Sequence, residues 1–280
     1  EIVKDYGVNN LAGAPTAYRM MLAADPKQMQ KLRGQFRVVS SAGEPLNPEV
    51  IRWFDQVLDA PIYDHYGQTE VGMVVCNHHG LQHEVKPGSA GFASLGYRVV
   101  TVDEQGNELA HDTPGILAVD LEKSPMMWFG GYEESRKSPF VKHYYLTGDT
   151  AEIHSDGSMS FVGRSDDVIT TSGYRIGPFD VESALLEHEA VIEAAVIGVP
   201  DPERTEIVKA FVVLAEPDAA SDSLAESLSQ FVKKRLSAHA YPRLVEFVTE
   251  LPKTPSGKIQ RFLLRNQEIE KQKVKLNVAS

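Results

Sequence analysis

Hydrophobic positions change their spacing twice along the chain, and each change marks a different kind of packing. Between residues 36 and 66 the pattern is that of a βαβ unit. Phe36–Ser40 is a short apolar run suited to a buried strand. Ile51, Phe54, Val57 and Leu58 then recur at helical spacing, and a second strand follows at Pro61–Tyr66. Asn47-Pro48-Glu49 supplies a helix start: a capping side chain, a proline in the first turn and an acid near the N-terminus. The two strands run into SAGEPL and DHYGQTE, which predicts two loops at the carboxyl ends of neighbouring parallel strands. Open α/β sheets bind ligands at that edge. GAPTAYRMM, residues 13–21, shows the same loop-then-helix pattern after another candidate strand.

From 88 to 162 the period shortens. Runs at Tyr97–Asp103, Gly115–Leu121 and Ser158–Val162 alternate with turn signals such as Asp156-Gly157. They predict a small antiparallel sheet or barrel packed on the α/β part. Beyond Arg164, helical spacing returns. Gly177-Pro178 opens a helix through Leu185 and His188, and strands are predicted at Ala194–Val199, Ile207–Leu214 and Leu244–Val248. Ser223-Leu-Ala-Glu226 reads as the capping box of a second helix, striped by Leu224, Leu228, Phe231, Val232 and Leu236. This is a compact α+β domain, whose charged tail after Gln267 is expected to fray.

Composition narrows the class. The 280 residues suit two domains, and 42% hydrophobic with 24% charged residues is ordinary for a globular protein. A net charge of −11 argues against a general nucleic-acid binder. The single cysteine, Cys76, excludes an internal disulfide and suits a reducing compartment, either cytoplasm or, in a eukaryote, the mitochondrial matrix. No apolar run is long enough to predict a transmembrane segment. Nothing in the histidine or cysteine spacing predicts structural zinc. No signal peptide is visible, and a chain that opens on Glu1 rather than Met is expected to be a piece of something longer. Homo-oligomerisation is left open.

Candidate chemistry lies in four segments. GRSDDVITTSGYRIG, residues 163–177, packs Arg164, Arg175, paired aspartates and Ser172-Gly173 between β-like runs. Arginine presents a planar fork to phosphate and glycine permits close backbone approach; a solvated hairpin is the alternative. YYLTGDT places Asp149 after a Thr-Gly turn at a strand end, where a carboxylate can accept both ribose hydroxyls, or simply cap the turn. YGQTE offers Thr69 for a phosphate oxygen and Glu70 for Mg²⁺, a cation that prefers oxygen ligands. PKTPSGK puts Lys258 on a loop stiffened by Pro252 and Pro255, as a point charge suited to phosphate or as an ordinary surface lysine.

In order, GAPTAYR, SAGEPL, YGQTE, YLTGD, GRSDDVI, SGYRIG and PKTPSGK resemble the acyl- and aryl-CoA synthetases of the adenylate-forming superfamily. TTSGYRIGPFDVESALLEH and YPRLVEFVTELPKTPSGKIQR are most similar to the medium-chain acyl-CoA synthetases. The resemblance implies an α/β fold: residues 1–164 as the C-terminal part of the large AMP-binding domain and 165–280 as a small mobile α+β lid. The large part would be a parallel βαβ sheet to about 86, then a small antiparallel β subdomain. It also implies a ligase reaction. A carboxylate attacks the α-phosphate of ATP to give acyl-AMP, and CoA then takes the acyl group as a thioester.

Residue roles follow from the same resemblance. Gly43, Glu44 and Pro45, with Asp64, His65, Tyr66, Gly67, Gln68, Thr69 and Glu70, would contact adenine, phosphates and metal. Asp149 and Arg164 would hold the ribose, Arg175 phosphate, and Lys258 the acyl carboxylate and phosphate during adenylation. Asp166 matches the hinge about which the lid rotates. Ser172, Gly173 and Tyr174 would line the pantetheine tunnel, and Arg204, Lys233, Tyr241 and Arg243 the CoA nucleotide. Gly67 and Val71 would border the acyl pocket. Acetate-specific relatives carry a bulky tryptophan at the position of Gly67, so an open pocket for medium-chain, branched or aromatic acids is expected. Gly67→Trp would then shift preference toward acetate or propionate. Acetylation of Lys258 would remove its charge.

The family's Gly-x-Pro-Lys phosphate loop is not among these residues, so the 280-residue chain alone is expected to show little or no ligase turnover. Transfer to a carrier-protein phosphopantetheine, or a non-catalytic nucleotide-binding remnant, are the competing readings.

Overall fold

The computed structural model describes residues 2–22, 24–44, 46–133, 138–254 and 257–278, with side chains through Lys271. The chain divides into two compact units, residues 1–161 and 162–280.

The first unit opens with helix α1 (Ile2–Asp5), strand β1 (Asn10–Gly13) and helices α2 (Pro15–Leu22) and α3 (Pro26–Met29). Strand β2 (Val38–Ala42), helix α4 (Pro48–Trp53) and strand β3 (Ile62–Gln68) follow. β1, β2 and β3 run parallel in adjacent register, so the βαβ unit forms. Its core is Tyr18, Val39, Val50, Phe54, Leu58 and Ile62. Past α4 the backbone widens into one π-turn, Phe54–Leu58, closed by Asp59 in the left-handed region at φ 53°. Phe54 and Leu58 both enter this core, where neither is exposed to solvent.

Asn47 does not cap α4 with its side chain. Its Oδ1 accepts from Arg19 Nη1 at 3.0 Å instead, tying the SAGEPL loop to α2. β2 starts two residues later than its apolar run, because Arg37 and Val38 both donate to Asn9 O at the strand's entry.

The remaining strands of this unit are β4 (Gly72–Cys76), β5 (Ser89–Ala93), β6 (Val99–Val102), β7 (Gly115–Asp120), β8 (Phe140–Val141), β9 (Tyr144–Ile153) and the first half of β10 (Met159–Arg164), whose last three residues belong to the second unit. They form the expected antiparallel part, and β9 packs back against β3 through Gln68 and Asp149. One hydrogen-bonded path runs β1-β2-β3-β4-β5-β10-β9-β7-β6, with β8 beside β9. β4, antiparallel to β3, is the point at which the parallel part becomes antiparallel. Cys76 ends β4, with its thiol beside Ser94 Oγ at 3.2 Å and its pKa raised by burial.

The second unit is a five-stranded sheet. β11 (Ile169–Thr171) and β12 (Tyr174–Ile176) form a hairpin, helix α5 (Pro178–Leu186) follows, and β13 (Val191–Asp201) pairs along its length with β14 (Thr205–Leu214). Helix α6 (Asp222–Arg235) leads to β15 (Leu244–Phe247), which runs parallel to β14. Both faces of β13 are buried, and alternation assigns them. Ala194 and Val196 pack with Val181, Leu185, Leu228 and Val232 of α5 and α6. Ala195, Ile197 and Val199 face Leu251 and Leu264 on the other side.

Two expectations change here. The cap of α6 is Ser221, whose Oγ accepts from Leu224 N at 3.2 Å, so the helix begins before Ser223. Glu226 accepts from Gln230 one turn on and does not close a capping box. The charged tail is a helix, α7 (Arg261–Val278), not a frayed end. Two of the tail's charges are partnered: Glu268 lies 2.7 Å from Lys209, and Lys271 lies 2.8 Å from Glu268 and 3.1 Å from Glu246.

Candidate functional site

In the first unit the site is built at the carboxyl ends of β2 and β3. Gly43 turns the chain after β2 at φ +93°, a conformation only glycine adopts freely. Glu44 accepts from Thr16 Oγ1 at 2.7 Å and lies 3.3 Å from Arg19. Pro45 lies outside the described residues. Opposite, the Asp64 carboxyl is enclosed, and burial pushes its pKa up to about 7 against the backbone N–H groups of His65 and Leu46. His65 is pushed down to about 4, first by burial and then by His79 and His78. Ser41 Oγ, Asp64 Oδ1, His65 Nδ1 and Asn77 Oδ1 are buried without a hydrogen-bond partner among the described residues. Alternation along β3 puts Ser41, Asp64 and Asn77 on one face and His65 on the other, so the first three leave unpaired polar atoms toward one face of the sheet.

Asp64 through Gln68 are not loop residues: β3 continues to Gln68, and the turn is confined to 69–71. Val71 N closes it onto Gln68 O at 3.2 Å, leaving Thr69 exposed at its tip. Val71 is buried. Glu70 accepts the Tyr132 hydroxyl at 2.7 Å. Gly67 does not face open space. A Cβ there would lie 2.3 Å from Gly72 O and 2.9 Å from Met73 Cα, because β3 and β4 cross at a bulge beside it. The expectation that Gly67 leaves room for a longer acyl chain therefore fails on geometry. A tryptophan at 67 would first have to displace its partner strand.

Asp149 is not at a strand end. Ile116 pairs with Thr150 and Ala118 with Leu146, so Thr147-Gly148-Asp149 bulges out of the middle of β9 opposite Leu117. Thr147 holds the bulge, its Oγ1 donating to Leu117 O at 2.8 Å and accepting from Asp149 N at 3.2 Å. Asp149 is 5% exposed. Its Oδ2 accepts both the Tyr66 hydroxyl and Gln68 Nε2. Burial and the adjacent Asp149 charge raise the Tyr66 phenol far above its usual range, so it stays a donor.

In the second unit the β11–β12 turn consists of Ser172 and Gly173, with φ +49° and +84°. Two left-handed residues make the tight hairpin turn that matches strand twist. Ser172 is held in that region by Arg204, whose carbonyl accepts its N–H at 2.9 Å and whose Nη1 donates to its Oγ at 3.2 Å. Tyr174, just past the turn, stacks on His239 at 3.8 Å and 14°. Lys233 and Arg243 lie 5.1 and 5.0 Å from the Tyr241 ring. Arg175 is exposed on β12. Lys258 is exposed on a turn closed by Thr254 N to Lys258 O at 2.8 Å; Pro255 and Ser256 lie outside the described residues.

The paired aspartates have different surroundings. Asp166 is exposed, with Arg164 Nε at 3.3 Å. Asp167 is largely buried between Arg265 at 2.7 Å and Arg261 at 3.5 Å, and Arg265 Nη1 also donates to Asp166 O at 2.6 Å. Arg261 further grips Glu182 of α5 at 2.7 Å.

Comparison with known proteins decides the family. The model for AMP-binding enzymes matches residues 1–127, and that for the AMP-binding enzyme C-terminal domain matches 180–258. This chain belongs to the AMP-binding enzymes. Among curated AMP-binding relatives, the mitochondrial acyl-coenzyme A synthetase ACSM4 of Rattus norvegicus is 45% identical over 96% of this chain and 47% of its own length. The chain thus spans about half the length of the curated relatives it matches. An acyl-CoA synthetase structure from Brucella canis is 64% identical, with TM-score 0.60, covering 97% of this chain and 50% of that one. An anthranilate CoA ligase solved with anthranoyl-AMP is 32% identical, with TM-score 0.80, over 95% of this chain and 51% of that one.

In this AMP-binding family member the motif residues divide between the two units, and contacts join Tyr66 and Gln68 to Asp149, Ser172 to Arg204, and Lys233 and Arg243 to Tyr241. Gly43, Glu44, Asp64–Glu70 and Asp149 belong to the first unit, and Arg164, Ser172–Arg175, Arg204, Lys233, Tyr241, Arg243 and Lys258 to the second. Sequence reasoning missed Tyr145, Tyr132, His239, Arg261 and Arg265. Of these only Arg261 and Arg265 carried a local signal, two arginines one helical turn apart just after the lysine loop. No described helix is long and apolar enough to cross a membrane.

Proposed function

We propose that the protein carrying this chain is an AMP-forming acyl-CoA synthetase. In the first half-reaction a carboxylate oxygen attacks the α-phosphorus of ATP, and the bond to the bridging oxygen breaks to release pyrophosphate. In the second, the CoA sulfur attacks the acyl carbon, AMP leaves, and the thiol proton passes to solvent. The observation that carries the reading is Asp149. It is a buried carboxylate lifted from its sheet by a bulge and gripped at one oxygen, as ribose recognition requires.

Asp149 and Arg164 would hold the ribose, with Gly43, Glu44, Asp64 and Tyr66 beside adenine. Lys258, Arg175 and Thr69 would stabilise charge building on the α-phosphoryl group. Glu70 suits Mg²⁺ by donor chemistry: it is a half-exposed carboxylate, and that ion takes one or two carboxylates together with substrate phosphates. When bound, Mg²⁺ would neutralise phosphate charge. Asp166 would act as the hinge. Its neighbour Asp167 is fastened by two arginines, which supports a pivot at 166 and a rigid lid beyond it. Ser172, Gly173 and Tyr174 would flank pantetheine, and Arg204, Lys233, Tyr241 and Arg243 the CoA nucleotide. The cations around Tyr241 favour free CoA over a carrier protein. Medium-chain, branched or aromatic acids are the proposed substrates.

Carboxylate-dependent ATP–pyrophosphate exchange, followed by AMP release on adding CoA, tests this with acetate, butyrate, hexanoate, isobutyrate and benzoate. Exchange with CoA-independent AMP release, or no exchange with any acid, would reject it.

A further inference from the structure

The Gln68 amide is engaged at both ends inside the first unit. Its Nε2 donates to Asp149 Oδ2 at 2.8 Å and to Thr147 O at 2.9 Å, and its Oε1 accepts the Tyr145 hydroxyl at 3.0 Å. The orientation is forced. Turned over, the amide carbonyl would face a carboxylate and a carbonyl, neither of which can donate. Both amide N–H groups are therefore occupied within the protein, so neither is available to a nucleotide. Tyr145 is 1% exposed and wedged edge-on against Phe129 at 5.6 Å, which fixes the direction of its hydroxyl.

Gln68 and the Tyr66 hydroxyl converge on the same oxygen of Asp149. Two charge-assisted bonds on one oxygen orient the plane of the carboxylate. A diol held by two hydrogen bonds needs that plane fixed. The chain of contacts runs Tyr145 to Gln68 to Asp149, from the sheet core to the bulge.

We propose that Gln68 is a positioning residue for ribose recognition: it acts through Asp149, and Tyr145 acts through Gln68. The proposal rests on the reading of Asp149 as the ribose carboxylate. It replaces direct contact between the Gln68 side chain and nucleotide with an indirect role.

The test is binding of ATP, 2′-deoxy-ATP and 3′-deoxy-ATP to the intact enzyme carrying this chain, measured by calorimetry. Wild type should prefer ATP, and Asp149→Asn should sharply reduce that preference, leaving what Arg164 contributes. Gln68→Met keeps the length of the side chain and removes its hydrogen bonds. It should weaken ATP binding by about tenfold, the loss of roughly one charge-assisted bond, while changing each deoxy nucleotide by less than about twofold. Adding Gln68→Met to Asp149→Asn should cost nothing further. Tyr145→Phe, which keeps the core volume, should reproduce part of the loss in discrimination.

If Asp149→Asn leaves the preference for ATP undiminished, the ribose reading fails and the proposal fails with it. If Asp149→Asn reduces the preference but Gln68→Met leaves it unchanged, the proposal alone is overturned. Equal weakening of all three nucleotides by Gln68→Met also overturns it, since a general structural role or a contact to base or phosphate would give that result.

Discussion

Asp149 and Lys258 are both proposed to act on the same nucleotide, yet the protein treats them oppositely. Asp149 is buried, hydrogen-bonded through its side chain to two donors, and set on a bulge pinned by Thr147. Lys258 is exposed on a short turn, where its backbone bonds Thr254 and, among the described residues, its side chain has no hydrogen bond. A group that must hold the ribose through both half-reactions gains from being fixed before substrate arrives. A group needed for one half-reaction must be able to leave, and a buried, paired lysine could not. In this protein the difference coincides with the division into units.

That contrast can be broken first at Lys258. Lys258→Ala should slow carboxylate-dependent ATP–pyrophosphate exchange by roughly 100- to 1000-fold, the cost of a lost transition-state donor. It should leave stability within about 0.5 kcal/mol, as an exposed side chain requires. A large drop in Tm would show that Lys258 has a structural partner and remove the contrast. Next comes the fixed side. Gly67→Ala should destabilise the first unit by roughly 1–3 kcal/mol, since its methyl enters the Gly72–Met73 backbone. Urea unfolding measures this, and an unchanged midpoint would show that the hairpin yields.

Arg265→Ala leaves Asp167 with Arg261 alone and frees the Asp166 carbonyl. A cost of about 1–2 kcal/mol is expected, together with a changed ratio of thioester-forming to adenylation rates. Both rates falling equally would place the arginine outside the pivot. The smallest effect concerns Asp64. Its folded pKa of about 7 lies above the ordinary carboxylate value, so the neutral form is favoured. The stability that this carboxyl contributes is present in acid and is lost as pH rises through about 7. Asp64→Asn should therefore raise Tm at pH 8 by roughly 2–4 °C and leave it unchanged at pH 4. A gain that persists at pH 4 would point to packing rather than charge.

Much of the fold was legible because its signals are local. The apolar runs of β13 and β14, the Pro48 and Pro178 helix starts and the period change near residue 88 needed no distant partner. What escaped was set by residues far apart in sequence. Asn47 has the right identity for a cap, but Arg19 on another helix takes its oxygen. Thr147-Gly148-Asp149 reads as an end-of-strand turn until Leu117 is seen opposite it. The tail looks unable to fold because nothing local says that Glu268 and Lys271 meet Lys209 and Glu246. At the site, motif residues were identifiable by type, whereas Tyr145 and Tyr132, which orient them, were indistinguishable from core aromatics. Gly67 was legible as a special position but for the wrong reason: the constraint is its own partner strand.

The arginine pair at the start of α7 bears on how such enzymes can be recombined. Arg261 and Arg265 hold the 166–167 segment and Glu182, while Lys258 lies three residues before Arg261. The proposed hinge at Asp166 and the start of α7, distant in sequence, are therefore fastened to each other. A chimera joined anywhere between 167 and 261 would take its pivot from one parent and its clamp from the other. Junctions placed before Arg164 and after Arg265 would transplant the two together.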